Sequence, residues 1–271
     1  MLVFCFLYVV CSSEIEGRYS RAMDVDNVLE IFHEIAGEIR SGLDELEDWG
    51  LSGGHPGQYV HDVVADEIAI PILWGAGLGI VSEESESQGL DRPVVAIVDP
   101  IDGSTNASLG IPWYATSLCA VDSEGLLASL VCNQATGNTY VAARGLGAEL
   151  DGEPIKPSRK DKVRDSILVF NGLPHSYFGW KQYRALGSAA LDLCSVADGT
   201  FDGFADFSSG LALWDYAGAA LVCSESGVVI SETDGTKLDF GNLLKSPSSR
   251  IRLLAAGTPP LHENLIDSVD V

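Results

Sequence analysis

Apolar positions in the first part of the chain recur at steps of three and four: Val25, Val28, Leu29, Phe32, Ile35, Ala36, Ile39, Leu43 and Leu46. That period predicts an amphipathic helix over 24–46, with Asp24 or Asp26 able to cap its start. Residues 50–59, GLSGGHPGQY, are rich in glycine and carry a proline, so they predict a loop. A second helix is predicted from near Asp62 toward Trp74, and Pro71 inside it should kink or end it. Short apolar runs then take over. Stretches 79–81 and 94–98 read as strands, the second buried on both faces. Stretches 117–121, 126–131 and 139–143 read as successive antiparallel strands joined by short turns. The second half alternates strands at 167–170, 203–207, 228–231 and 253–256 with helices at 188–197, 214–226 and 261–269. Gly227 should close the middle helix. The pattern predicts mixed α and β structure in two lobes, 23–165 and 166–271, with no repeats.

The opening run MLVFCFLYVVC does not fit this scheme. Its 11 residues are too few for a bilayer span, which takes about 20. No Lys or Arg precedes Arg18, so the basic start of an export signal is missing. Met23 is the expected true start, with 1–22 an extension outside the folded protein; a cleaved signal is the rival reading.

Charge narrows the function classes. The chain carries 39 Asp+Glu against 16 Lys+Arg, a formal net charge of −23. Phosphate backbones need a basic face, so nucleic acid is an unsuitable partner, and so is an anionic membrane surface. A small anionic substrate remains compatible if bound cations invert the local field. The only basic cluster, KPSRKDKVR at 156–164, reads as a solvated connection. Six cysteines include no CxxC; Cys119, Cys132, Cys194 and Cys223 lie in apolar runs and read as reduced core residues.

The densest chemistry lies in VVAIVDPIDGSTN at 94–106. A buried strand ends in Asp99, Pro100 turns the chain, and Asp102 follows three residues on. Two carboxylates so close repel each other unless a cation lies between them. The carbonyl of Ile101 adds a hard oxygen, completing a donor set that suits magnesium. Gly103 lets backbone approach a ligand, and the N–H groups of Gly103, Ser104 and Thr105 at a helix start suit an anion. Glu83 and Glu84 follow the strand at 79–81. Asp215 stands at the start of an apolar helix, where a capping role is the plain alternative, as it is for Asp62.

These segments resemble the inositol monophosphatase family of metal-dependent, lithium-sensitive phosphatases. DPIDGSTN is similar to its first signature and WDYAGAALVCSESG to its second. SEES at 82–85, ARGLGAELDGEPI at 143–155 and ALGSAALDLC at 185–194 resemble three further motifs in the family's order. The resemblance implies the layered α+β sandwich of the inositol monophosphatase and fructose-1,6-bisphosphatase type. It implies magnesium, two ions and a weaker third, held by Glu83, Asp99, the Ile101 carbonyl, Asp102 and Asp215, with Asp99 bridging and Asp62 supporting the third. Ser104, with Asp62 or Glu83, would orient the attacking water. Asp102, Gly103, Ser104, Thr105 and Asp215 would face the phosphate. Gly187, Ser188 and Ala189 would line the pocket for the alcohol.

The implied activity is hydrolysis of a small polyol phosphate by activated water, inositol 1-phosphate leading. Histidinol phosphate, fructose 1,6-bisphosphate and 3′(2′),5′-bisphosphate nucleotides are the alternatives. A phosphatase with an aspartyl nucleophile would need DxD, and the spacing here is DxxD. Some relatives act as partners of RNA machinery, a role the charge disfavours. A homodimer in the cytoplasm is expected. The family's inositol-specific members carry a Glu where Ser208 falls in FADFSSGLALWD, and Asp206 is the nearest carboxylate, so the alcohol pocket departs from that pattern.

Overall fold

A computed structural model describes residues 24–240 and 242–269. The apolar segment 1–22 and the expected start at Met23 lie outside these residues. Two helices come first. α1 (Val25–Asp44) begins where the Asp24 carboxylate accepts the Asn27 N–H at 2.9 Å, a side-chain cap of an otherwise orphaned donor. α2 (Val60–Gly75) runs unbroken through Pro71, so the expected stop there does not occur. Pro71 and Glu67, one turn before it, are both exposed. Water can therefore serve the Glu67 carbonyl that the proline leaves without a donor.

A seven-stranded sheet follows in sequence order: β1 (Gly79–Ser82), β2 (Val95–Asp102), β3 (Ala115–Asp122), β4 (Gly125–Asn133), β5 (Thr139–Ala143), β6 (Gly147–Leu150) and β7 (Glu153–Pro154). Only β1 and β2 pair in parallel. The short helix α3 (Ser104–Ser108) follows β2. β6 and β7 form a hairpin that the pattern missed, because four-residue and two-residue strands show too little periodicity to read.

The second sheet has the order β11-β12-β10-β8-β9, from β8 (Ile167–Asn171), β9 (Gln182–Arg184), β10 (Gly203–Asp206), β11 (Val229–Glu232) and β12 (Leu253–Ala256). Its helices are α4 (Ala189–Ala197), α5 (Leu213–Ser226) and α6 (Pro259–Val269). Gly227 ends α5 with φ of 99°, a left-handed conformation that glycine adopts without a Cβ clash.

Core contacts stack these elements in five layers. α1 and α2 cover one face of the first sheet. α4 and α5 fill the space between the two sheets, and α6 covers the outer face of the second. The alternation along β2 shows the geometry: Ala96 and Val98 face α1 and α2, while Val95 and Ile97 face α5. Both faces are dry, which is why β2 reads as an uninterrupted apolar run. Cys119, Cys132, Cys194 and Cys223 are buried free thiols, as expected; Cys5 and Cys11 lie outside the described residues. Among the described residues no helix is long and apolar enough to cross a membrane.

Candidate metal centre

Parity along β2 carries Asp99 to the same side as Val95 and Ile97, toward α5. Beyond it the register between β2 and β3 shifts between Asp99 and Asp102. Pro100 has no N–H for the ladder, and its carbonyl instead accepts the Thr116 hydroxyl at 2.8 Å. The strand thus breaks step where two carboxylates must face one site. Gly103 then takes φ of 91° to open α3. A Cβ there would sit 3.0 Å from the Trp113 carbonyl and 3.1 Å from that of Gly187, so only glycine fits without displacing backbone.

Glu83 reaches the same place from β1: its N–H donates to the Val98 carbonyl at 3.2 Å, beside Asp99. Asp215 arrives from the first turn of α5, where one carboxylate oxygen accepts the Ala212 N–H at 2.7 Å. The cap and the ligand readings of Asp215 are compatible, because a carboxylate has a second oxygen. Ligand oxygens of Glu83, Asp99 and Asp215 lie within 4.8 Å of one another. Asp102 joins them electrostatically. Its Oδ2 accepts the Ser188 hydroxyl at 2.6 Å and the Ala190 N–H at 2.7 Å, tying β2 to the start of α4.

Burial first, and for Glu83, Asp99 and Asp102 the neighbouring carboxylates as well, raises the pKa of these groups. Glu83 is pushed up to about 8, by lost hydration first and then by Asp215, Glu84 and Asp102. Asp102 is pushed up to about 7 by burial, opposed by the Ser188 hydroxyl. Burial pushes Asp215 up to about 6, opposed by the Ala212 N–H and by Arg250. Asp99 is held well above its ordinary value by burial and by Glu83 and Asp102. Its Oδ1 is buried with no hydrogen-bond partner. A buried carboxylate oxygen left unpaired among other carboxylates is costly, and a divalent cation removes that cost. The donor set, all hard oxygen, fits such an ion.

Around the cluster the other expected residues fall as follows. The Ser104 hydroxyl donates to the Ile101 carbonyl at 2.8 Å, and it lies near enough to Asp62 to oppose the rise in that carboxyl's pKa that burial causes. Asp62 Oδ2 accepts the Tyr59 N–H at 2.9 Å, while its Oδ1 is buried and unpartnered. Thr105 is exposed near the Tyr59 hydroxyl, at 3.5 Å. Gly187 is exposed, whereas Ser188 and Ala189 are buried behind Asp102. Asp206 and Ser208 sit at the end of β10, where Asp206 Oδ1 accepts the Ser208 N–H at 2.8 Å.

Sequence reasoning missed three supports of the site. The buried His61 ring lies between Trp49 and Tyr59, with centroids 5.2 and 5.1 Å away, and its Nε2 is 3.5 Å from Asp62 Oδ1. Burial lowers its pKa. Asn106 bridges the Trp113 and Leu186 carbonyls at 2.8 and 2.7 Å, pinning α3 against the loop before α4. Arg250 lies 3.7 Å from Asp215 Oδ2. His61 could have been noticed beside Asp62; Arg250 has no local signal.

Fold and cluster together define a layered α+β protein with a carboxylate site able to hold a metal ion. A family model described as the inositol monophosphatase family matches residues 76–270. The chain is 33% identical over 258 residues to the fructose-1,6-bisphosphatase/inositol-1-monophosphatase of Archaeoglobus fulgidus, covering 91% of this chain and all of that one. It is 33% identical over 222 residues to the inositol-1-monophosphatase of Mesorhizobium japonicum, covering 74% of this chain and 82% of the relative. Among solved structures, a hypothetical protein from Pyrococcus horikoshii with similarities to inositol-1 monophosphatase superposes with a TM-score of 0.82 at 24% identity, covering 91% of this chain and 99% of that one. The chain belongs to the inositol monophosphatase family.

Proposed function

We propose that the protein hydrolyses a small polyol phosphate, inositol 1-phosphate or fructose 1,6-bisphosphate in the first instance, with magnesium as its metal. The observation that carries this reading is the convergence of Glu83, Asp99 and Asp215 from β1, β2 and α5, with Asp99 Oδ1 buried and unpartnered. Glu83, Asp99, the Ile101 carbonyl, Asp102 and Asp215 hold two ions, and Asp62 supports a third. Bound magnesium supplies charge that lowers the pKa of water and stabilises the leaving alkoxide.

The chain's own groups do the rest. First-turn amides of α3 have no intrahelical acceptor and face the phosphoryl oxygens. Ser104, held between Ile101 and Asp62, orients the attacking water together with Asp62 or Glu83. Asp102 is locked by Ser188 and Ala190, so it keeps its place when the phosphate arrives. Gly187, Ser188, Ala189, Asp206 and Ser208 shape the end of the pocket that takes the alcohol. We read the chain as two lobes, 23–165 and 166–271, a division supported by one sheet drawn from 79–154 and a second from 167–256. The enzyme works as a homodimer in the cytoplasm.

Phosphate release from a panel of polyol phosphates, measured with and without magnesium, tests the reading. Release that depends on magnesium and disappears in Asp99→Asn supports it. No release from any ester in the presence of magnesium would overturn it.

A further inference from the structure

Where β2 breaks step with β3, the two strands differ by one residue. Asp99 stands opposite Ser117 and Asp102 opposite Ala115, so Pro100 and Ile101 on β2 face the single residue Thr116 on β3. That is a bulge of one extra residue, and it decides where the carboxylates point. Side chains alternate faces along a strand, so Asp99 and Asp102, three residues apart, would otherwise lie on opposite faces of the sheet. The extra residue turns Asp102 back to the face of Asp99. Their partners show it: the Ser117 hydroxyl lies against Gly218 of α5, and Ala115 is packed in the same core as α5.

A bulge opens the ladder, and a chain of buried side chains fills the gap from the other face. Thr116, between Ala115 and Ser117, points away from α5 and toward α1. Its hydroxyl donates to the Pro100 carbonyl at 2.8 Å. The same oxygen accepts the Gln134 Nε2 amide at 2.8 Å. Nε2 also donates to the Ala36 carbonyl of α1 at 3.2 Å. A carbonyl can only accept, so this contact fixes which end of the amide faces Thr116. With an N–H aimed at its oxygen, the Thr116 hydroxyl keeps its own proton for Pro100. Gln134 is held in turn by its backbone: Arg40 of α1 donates to its carbonyl at 3.0 Å, and its N–H donates to the Tyr114 carbonyl at 3.0 Å. Thr116 is fully buried and Gln134 is 5% exposed, so bulk water cannot replace either bond. A peptide unit is planar, so a fixed Pro100 carbonyl fixes the plane leading into Ile101 and Asp102.

We infer that Thr116 and Gln134 are positioning residues for the ion-binding turn: they hold the bulge that brings Asp99, the Ile101 carbonyl and Asp102 to one site. The inference rests on the metal-dependent reading proposed above and adds to it a support on the side of the sheet away from the carboxylates.

Calorimetric titration of the full, metal-free chain with magnesium chloride tests it, in the native protein and in Thr116→Val, Thr116→Ser and Gln134→Met. Valine keeps the branched shape of threonine without the hydroxyl, and serine keeps the hydroxyl. Circular dichroism and thermal melts in EDTA show that each variant folds and how far its metal-free stability falls. Thr116→Val should weaken magnesium binding by about 10–100-fold, the range for losing an outer-shell partner of a metal. Gln134→Met should weaken it in the same direction, and Thr116→Ser should bind as the native chain does. The magnesium concentration for half-maximal phosphate release should rise in step with the loss of binding. A Thr116→Val chain that melts earlier but binds magnesium as tightly as the native one would overturn the inference and leave the phosphatase reading intact. Should Thr116→Val fail to fold, Gln134→Met, which keeps the Thr116 side chain, decides by the same criterion. A native chain that takes up no magnesium would remove the metal reading and the positioning role together.

Discussion

Asp99 concentrates the conflict on which the site depends. It is 1% exposed, lacks a partner for Oδ1, and is surrounded by carboxylates that hold its pKa up. Asp99→Asn should therefore leave the metal-free fold at least as stable as the native one, because it removes repulsion. Activity should fall by more than the 10–100-fold typical of losing an outer-shell partner of a metal. Thermal unfolding in EDTA and phosphate release in magnesium check the two halves; retained turnover would sink the assignment. At this scale much was legible. Asp99 and Asp102 announce themselves because both lie within four residues after a buried strand. Arg250 and Asn106 do not, since their partners lie far along the chain: Asp215 for the first, Leu186 for the second.

Elements hold these residues in register, and α5 shows how. Ser117 of β3 stands opposite Asp99 on β2. A Cβ added to Gly218 would come within 2.7 Å of the Ser117 hydroxyl and 3.3 Å of the Leu118 carbonyl. Gly218 thus lets α5 press on the sheet beside Asp99, three residues after Asp215. Gly218→Ala should cost about 1–3 kcal/mol, the usual range for overpacking, and should lower kcat/KM as Asp215 shifts; denaturant unfolding and steady-state kinetics read both. The other end of α5 has a structural duty. Glu225 accepts the Gly145 and Gly147 N–H groups at 2.9 and 3.0 Å, clamping the β5–β6 turn. Glu225→Ala should destabilise by about 1–3 kcal/mol, as expected for hydrogen bonds to a charged group, with kcat unchanged. A large loss of kcat would instead place Glu225 in the chemistry.

For the whole molecule, the cluster links stability to pH and to metal. Glu83, Asp102 and Asp215 are pushed up to about 8, 7 and 6 in the folded chain, from ordinary values of 4.5, 3.8 and 3.8. Between the two sets of values the folded state binds more protons than the unfolded one. Metal-free stability must then fall as pH rises from about 4 toward 8. Magnesium should reverse the trend, since a ligand at 100 times its Kd adds about 2.7 kcal/mol. Melting temperatures in EDTA and in magnesium across that range test the sign. A flat EDTA profile would mean that these carboxyls do not share a site. Lithium should also inhibit the magnesium-loaded enzyme, as expected for this family; rates unchanged over tens of millimolar (roughly) would indicate a more open ion site.

The linear order of residues determined where helices and strands form, because burial imposes a period of 3.6 or 2 on any long enough stretch. It also marked the acidic end of β2, since two carboxylates in DPID cannot both stay charged without help. What it left open depended on distance in space. Periodicity says nothing about which strand end meets which helix start, so only the layered packing could bring Glu83, Asp99 and Asp215 within 4.8 Å. The same packing set Arg250 beside Asp215, across 35 positions of chain.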